Sequence, residues 1–149
     1  MRITQPREKS LEGMNRRTAL AAGLSAAAAP LFVPAVSAAI KAYGPTDGKE
    51  LAPGVRVVEL GTGNSDIPAY KSIMMVDIVF QPGAVFPVSP MDNDMVCYIA
   101  AGEFQIKKED KEFTVKEGEM YTCTKGKTDG ATNVSNVVGI HRIAMLIPA

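Results

Sequence analysis

The sequence predicts an all-β fold for the part of the chain after residue 40. Short runs of apolar and β-branched residues recur there, separated by clusters of Gly, Pro, Asn and Asp that favour turns. No segment beyond residue 40 keeps the 3.6-residue apolar periodicity of an amphipathic helix over three turns. Short strands at this spacing are typical of a sandwich or a barrel.

The first predicted strands lie before residue 83. Residues 55–60 form one, which ends in the Gly-Thr-Gly-Asn sequence of residues 61–64. Residues 72–80 form the next, and the Gln-Pro-Gly sequence at 81–83 closes it. Both runs are therefore interpreted as strands that end in turns.

The later strands follow the same rule. Residues 103–108 and 111–115 alternate polar and apolar side chains around Glu109 and Asp110, which predicts a hairpin. The other predicted strands are residues 95–100, 132–138 and 140–147, and residues 126–130 are predicted to be a loop.

A targeting signal is predicted before residue 40. Arg16 and Arg17 precede a weakly apolar, Ala-rich stretch at residues 19–33, and the small residues at 36–39 suit a signal peptidase. Paired arginines before a modestly hydrophobic stretch resemble a twin-arginine (Tat) signal. We therefore expect export to the periplasm.

The chain divides into three segments on this basis. Residues 1–39 are the N-terminal extension and signal. Residues 40–54, rich in Gly, Pro and polar side chains, are a linker or arm. Residues 55–149 are one folded domain, in keeping with the length of the chain.

Charge argues against one class of partner. The whole chain balances 16 basic against 16 acidic residues, but the residues after 39 carry 11 basic and 14 acidic ones. Because phosphate contacts need clustered Lys and Arg, this mildly acidic domain is not expected to bind nucleic acid. No apolar stretch after the signal is long enough to span a membrane.

Two stretches of the domain resemble the sequence motifs of the cupin superfamily. In the first, Gly83 and Gly102 stand at the separation of the glycines that bound the first cupin motif. Between them, Ser89 and Met91 occupy its two histidine positions, and Met95 occupies its glutamate position.

The second stretch is similar to the other cupin motif. Gly118, Gly126 and Asn133 match its fixed positions. Thr124 stands at its proline position, and Asp129 stands at the position of its histidine.

The resemblance implies a small single-domain bacterial cupin of the RmlC-like type, with a double-stranded β-helix, or jelly-roll, barrel over residues 55–147. It implies that the ligand-equivalent positions Ser89, Met91, Met95 and Asp129 border a pocket, and that the protein is a homodimer. The usual His/His/Glu/His ligands are replaced, and a lone carboxylate does not hold Mn or Fe. The metal-dependent oxygenase or isomerase chemistry of cupins is therefore not carried over.

Alternation along the strands places further residues beside this pocket. Met95, Cys97 and Ile99 share one face of a strand, and His141 and Met145 share one face of the last strand. The predicted pocket lining therefore adds Cys97, Cys123, His141 and Met145 to the ligand-equivalent positions.

Three interpretations of these side chains remain open. They can simply fill a packed core, or line a small-molecule pocket in the mouth of the barrel. The third interpretation is a soft-metal site, because thioether and thiolate ligands favour Cu(I). Copper is then the candidate cofactor, with Met91, Met95, Cys97 and His141 as its ligands.

The two cysteines and Asp129 also have alternatives. Cys97 and Cys123 can form a disulfide in an exported protein, remain buried free thiols, or act as ligands. Asp129 is either an Asx-type turn residue or a ligand.

The sequence favours an exported binding or accessory protein that holds a small molecule or serves a partner protein. The alternative is a copper-binding protein, or a metal-dependent enzyme of the oxygenase or isomerase type, that uses the Met/Cys/His set. A third interpretation is a structural partner exported together with a cofactor-bearing enzyme. An enzyme is the less favoured class, because a single His gives no Ser/His/Asp triad and no phosphate-loop or HExxH motif occurs.

Overall fold

The computed structural model describes residues 42–149, and the predicted signal at 1–39 lies outside the described residues. The described part contains ten strands and no helix. The strands are β1 (Lys49–Ala52), β2 (Val55–Asn64), β3 (Tyr70–Phe80), β4 (Val85–Pro90), β5 (Asp94–Ala101), β6 (Glu103–Lys108), β7 (Lys111–Lys116), β8 (Met120–Cys123), β9 (Thr128–Asn133) and β10 (Gly139–Pro148). The predicted all-β fold is confirmed. Within residues 42–149, no helix has the length and hydropathy that a membrane crossing needs.

The strands form two antiparallel sheets. The larger has the order β1-β2-β3-β10-β5-β8, and the smaller has the order β4-β9-β6-β7. Consecutive strands often belong to different sheets, so the chain crosses repeatedly from one sheet to the other, as in a jelly roll.

Two groups of buried apolar side chains fill the space between the sheets. The first consists of Val55, Phe80, Ile99, Phe104, Ile106, Val115 and Ala131. The second consists of Val76, Met95, Cys97, Cys123 and Ile143. The rings of Phe80 and Phe104 meet edge to face, with 5.0 Å between centroids, which is a favoured aromatic arrangement.

The predicted hairpin is confirmed. β6 and β7 pair from Glu103 with Lys116 to Lys108 with Lys111. Glu109 in the connecting turn has a φ of 54°, which is the left-handed conformation that tight hairpin turns require. The side chain of Glu109 also accepts a hydrogen bond of 2.8 Å from the amide of Thr128, which ties this turn to β9.

The prediction for residues 40–54 was wrong at residues 49–52. These residues form β1, which pairs Lys49 with Val57 and Glu50 with Arg56 at the edge of the larger sheet. Because its side chains are mostly exposed, β1 has no alternating apolar pattern to reveal it. Pairing with β2 makes it a strand, and Ala52 at its end packs against the first core group.

The predicted loop at 126–130 and strand at 132–138 were also misplaced. β9 covers Thr128–Asn133, and Val134, Val137 and Val138 beyond it are exposed. The valines suggested a strand because β-branched residues favour strands. The true strand is polar and small, and its Asp129, Gly130 and Asn133 are nonetheless buried.

The outer face of the larger sheet carries a buried ion pair. Arg142 donates to both carboxylate oxygens of Asp77, through Nε at 2.8 Å and Nη2 at 2.9 Å. Tyr43, from the segment before β1, donates a third hydrogen bond of 2.6 Å to the same carboxylate. Burial and this hydrogen bond raise the pKa of Tyr43 to about 12. The segment before β1 is therefore anchored on the sheet.

Candidate functional site

A cavity of about 250 Å³ lies between the two sheets. Most of its lining comes from β3, β4, β5, β9 and β10, and β1 and the turn before β5 add a few residues. The lining residues are Leu51, Ile78, Phe80, Phe86, Ser89, Pro90, Met91, Asp92, Asn93, Met95, Asp129, Gly130, Ala131, His141, Ile143 and Met145. Leu51, Pro90 and Asp92 are exposed, whereas Met95, Asp129 and His141 are buried. The cavity therefore runs from the surface into the barrel.

All four ligand-equivalent positions border this cavity. Ser89 on β4 lies opposite Asp129 on β9, and Met95 on β5 lies opposite Met145 on β10. Met91 follows β4 and packs against the second group of core residues. Strand register thus brings together side chains that are far apart in the sequence.

His141 and Met145 line the cavity as expected, but the two cysteines do not. Cys97 and Cys123 lie in the second core group, and neither belongs to the cavity lining. Both are free thiols, so the disulfide considered from the sequence is not formed. Cys97 lies opposite Tyr121, and Cys123 lies opposite Met95, so the cysteines are offset along their strands. Burial raises the pKa of the Cys97 thiol to about 12, which keeps it protonated.

Tyr121 lies within hydrogen-bond distance of two polar side chains that line the cavity. The Tyr121 hydroxyl lies 3.0 Å from Oδ2 of Asp129 and 3.3 Å from Nε2 of His141. The Tyr121 and His141 rings are stacked, with 5.7 Å between their centroids. When Tyr121 donates to an ionised Asp129, its oxygen accepts from His141, which places the imidazole proton on Nε2.

Burial sets the charge of these groups. It lowers the pKa of His141 to about 4, because the cationic form is disfavoured away from water. Burial also raises the pKa of Asp129, and the hydrogen bond from the Tyr121 hydroxyl acts in the opposite direction. Burial raises the pKa of Tyr121 as well, so Tyr121 remains a hydrogen-bond donor. His141 is therefore neutral at pH 7.

One carboxylate oxygen in this group has no partner. Asp129 is only 5 % exposed, and its Oδ1 is the one buried side-chain oxygen or nitrogen in residues 42–149 that makes no hydrogen bond. Buried polar groups are almost always paired, and an unpaired one destabilises the fold.

The side chains at the cupin metal positions do not fit the usual cupin metal. Ser89, Met91, Met95 and Asp129 supply one hard anionic donor between them, whereas Mn and Fe need several oxygen and nitrogen ligands. In the described residues, no three His, Cys, Asp or Glu side chains are grouped so that they could hold a metal ion. The copper set is divided as well, because Met91, Met95 and His141 line the cavity but Cys97 does not.

Tyr121 is the site residue that sequence reasoning missed. Side chains alternate along β8, so Tyr121 lies on the same inner face of this strand as Cys123. This alternation could be seen in the sequence, but the second cupin motif includes Asp129 and no residue of β8. Its place in the site is recognised only from the structure, in which Tyr121 on β8 lies beside Asp129 on β9 and His141 on β10.

Comparisons with known proteins agree with this architecture. No protein-family profile matches the chain, and no curated protein matches it. An RmlC-like cupin from Shewanella frigidimarina is similar to the chain, with 21 % identity and a TM-score of 0.54 over 72 % of this chain and 89 % of that one. KdgF from Halomonas sp. has 19 % identity and a TM-score of 0.52 over 66 % of this chain and 86 % of that one. An RmlC-like cupin with a double-stranded β-helix fold from Methanocaldococcus jannaschii has 17 % identity and a TM-score of 0.52 over 68 % of this chain and 88 % of that one. The two sheets have the strand order of a jelly roll, and the similar solved structures are cupins. The chain therefore has the double-stranded β-helix fold of the cupins.

Proposed function

We propose that this chain is an exported protein that binds a small molecule in the cavity between its sheets. The observation that carries the proposal is a largely apolar cavity of about 250 Å³ whose lining includes two buried polar side chains, Asp129 and His141. Apolar walls with a few placed polar groups are the usual construction of ligand pockets. The replaced metal ligands leave this cavity free for a molecule that brings its own polar group.

A cavity-filling variant tests the site. We expect small ring-containing molecules of about ten non-hydrogen atoms to raise the melting temperature of the folded protein, and Ser89→Phe to abolish that rise. Thr122→Phe is the matched control, because Thr122 is exposed on β8 and outside the cavity lining. If Ser89→Phe keeps the full response, the ligand binds elsewhere and the proposal is wrong.

Export is proposed from the paired arginines. Replacing both Arg16 and Arg17 with Lys should leave the full chain in the cytoplasm, as measured by cell fractionation. The same change at Arg2 and Arg7 is the control, because these residues lie outside the pair. Normal export of the Arg16/Arg17 variant would contradict a Tat signal.

Copper binding is the second candidate. It is favoured by the three soft or borderline donors that line the same cavity, on Met91, Met95 and His141. Elemental analysis of protein isolated from the periplasm without chelators separates the two candidates. About one copper ion per chain, lost in Met91→Ala, would favour copper, and a metal-free folded protein would favour the small molecule.

Two kinds of protein partner are proposed as well. A homodimer is expected from the resemblance to cupins, and its test is the mass of the folded protein in solution. An accessory role predicts a second protein that stays bound through purification. Neither outcome conflicts with a ligand in the cavity.

A further inference from the structure

We propose that the ligand is a neutral, ring-containing molecule that donates a hydrogen bond, from a hydroxyl or N–H group, to Nδ1 of His141. The inference rests on the proposed function, since it specifies the chemistry of a molecule in the same cavity. It depends on three features: an imidazole nitrogen that has no partner, the position of the imidazole proton, and the nature of the cavity walls.

The first feature is the nitrogen. His141 borders the cavity and is only 4 % exposed. Its Nε2 lies 3.3 Å from the Tyr121 hydroxyl, which is the one hydrogen bond that its side chain makes within residues 42–149. In the same residues, Oδ1 of Asp129 is the one unpaired side-chain oxygen or nitrogen that is closed off from solvent. Nδ1 of His141 is therefore both unpaired and open, and the space that His141 borders is the cavity.

The second feature is the imidazole proton. The Tyr121 hydroxyl has one proton to donate, and it lies closer to Oδ2 of Asp129, at 3.0 Å, than to Nε2 of His141. Because a hydrogen bond to a carboxylate is stronger than one to a neutral nitrogen, Tyr121 donates to Asp129 and accepts from Nε2 of His141. The imidazole is neutral at pH 7. Nδ1 therefore carries a lone pair and no proton, which makes it an acceptor.

The third feature is the lining. Much of it consists of aromatic and thioether side chains, from Phe80, Phe86, Met91, Met95 and Met145. Thioethers make favourable contacts with aromatic rings, whereas a charged group would lose its hydration against such walls. Since an apolar cavity of about 150 Å³ holds benzene, about 250 Å³ accommodates a bicyclic ring. The walls therefore favour a neutral ring, whose donor finds its acceptor at Nδ1.

The test compares matched probes on the folded wild-type protein. Indole and benzofuran have the same bicyclic shape, but indole has an N–H donor where benzofuran has an acceptor oxygen. Calorimetry should show indole binding about three- to tenfold more tightly, as expected for one neutral hydrogen bond. Benzyl alcohol should likewise bind more tightly than benzylamine, a cation of equal size. Benzofuran that binds as tightly as indole, or benzylamine that binds more tightly than benzyl alcohol, would overturn the inference.

The imidazole itself reports the contact, because His141 is the only histidine in the chain. A proton–nitrogen correlation spectrum of the ring should show Nε2 protonated and Nδ1 unprotonated in the free protein. Indole should shift the Nδ1 signal toward that of a hydrogen-bonded nitrogen, and benzofuran should move it far less. A proton on Nδ1 in the free protein, or an Nδ1 signal that saturating indole does not move, would contradict the inference without any variant.

Two variants identify the acceptor. His141→Phe keeps a ring and removes both nitrogens, so indole should lose its preference over benzofuran. Ser89→Ala removes the hydroxyl of another lining residue. If Ser89→Ala abolishes the preference and His141→Phe does not, the ligand donates to Ser89 and the inference is overturned.

Methionine methyl NMR separates failure of this inference from failure of the proposed function. Bound indole should shift the signals of Met91, Met95 and Met145, which border the cavity, and leave Met120, which is 66 % exposed on β8, unchanged. These shifts with equal affinity for indole and benzofuran would overturn the inference and leave the proposed function standing. No cavity shift with any of the four probes, nor with a broader set of small ring compounds, would overturn both.

Discussion

The ionisation of His141 is altered by burial alone. The residue is 4 % exposed on β10 and lies between the aromatic rings of Phe104 and Tyr121, with 5.7 Å between centroids in each pair. No described acidic side chain forms an ion pair with it. The pKa of His141 falls to about 4, so the imidazole is neutral in the folded protein at pH 7.

This burial predicts a loss of stability in acid. Between pH 6.5 and about 4 the unfolded chain binds a proton at His141 and the folded chain does not, so the free energy of unfolding falls as the pH falls. The loss attributable to His141 should reach about 3 kcal/mol near pH 4. Urea unfolding of wild type and His141→Gln from pH 4 to pH 7 measures it, and the variant should have the shallower slope. The pKa of Asp129 is raised, so just above pH 3.8 the folded chain keeps a proton there that the unfolded chain has lost. In both proteins, Asp129 therefore makes the free energy of unfolding rise as the pH falls.

Asp77 is a second residue whose environment gives a prediction. Its side chain is fully buried, and it accepts two hydrogen bonds from Arg142. Removing one partner of a buried pair leaves the other charge uncompensated. Because Arg142 is itself 36 % exposed, we expect Arg142→Leu to lower the free energy of unfolding by about 2 to 3 kcal/mol.

The control for Arg142→Leu is an exposed ion pair. Lys107 and Glu112 are both more than half exposed at 3.7 Å, and such pairs contribute about 0 to 1 kcal/mol. Lys107→Leu should therefore change stability little. Equal losses for the two variants in urea unfolding would show that the buried pair has no special role.

At the scale of elements, β9 lies unusually close to β4. A Cβ atom at Gly130 would come within 2.9 Å of the backbone of Val88, which real Cβ contacts do not allow. The register of β4 and β9 is interrupted between Phe86 and Ser89, on either side of Val88. Glycine at 130 therefore lets β4 approach and brings Ser89 opposite Asp129.

Gly130→Ala should push β4 away from β9. We expect a loss of about 1 to 3 kcal/mol in the free energy of unfolding, as for other overpacked sites, and weaker ligand binding in the cavity. Gly63→Ala on β2 is the matched control, because a Cβ atom at Gly63 would meet no atom within 4 Å and the residue has no positive φ. A fully stable Gly130→Ala protein would mean that β4 moves freely, which would contradict a close approach fixed by the fold.

The same elements explain what the sequence could predict. The interior face of β5 was predictable because Met95, Cys97 and Ile99 alternate with less buried residues. The interior face of β9 was not predictable, because Gly130 is needed for the close approach of β4 and Asn133 for hydrogen bonds that are mostly to a distant segment. Asn133 donates to the carbonyl oxygens of Phe80, Gln81 and Val137. Periodicity reports how side chains face solvent, and it does not report contacts between distant strands.

At the scale of the whole molecule, the residues that build the core differ from those at the cupin ligand positions, except for Met95. The two core groups pack around the cavity with apolar side chains and thiols, and none of these contacts needs a bound ion. The spacing of the cupin motifs follows the turns and strand lengths of the fold. The positions within them are free to change chemistry, which is why the sequence could predict the fold and the location of the cavity but not a function for it.

This separation of fold from site gives the last prediction, which concerns metal content. Wild type should contain less than about a tenth of a transition-metal ion per chain, because Ser89, Met91, Met95 and Asp129 do not form a metal-binding set. The quadruple variant Ser89→His, Met91→His, Met95→Glu and Asp129→His restores the four cupin donors at the same positions. It should bind about one ion, since strand register already brings these positions to one cavity. Elemental analysis of both folded proteins measures the difference. Near-stoichiometric copper in wild type would contradict the prediction and identify Met91, Met95 and His141 as ligands to be changed next.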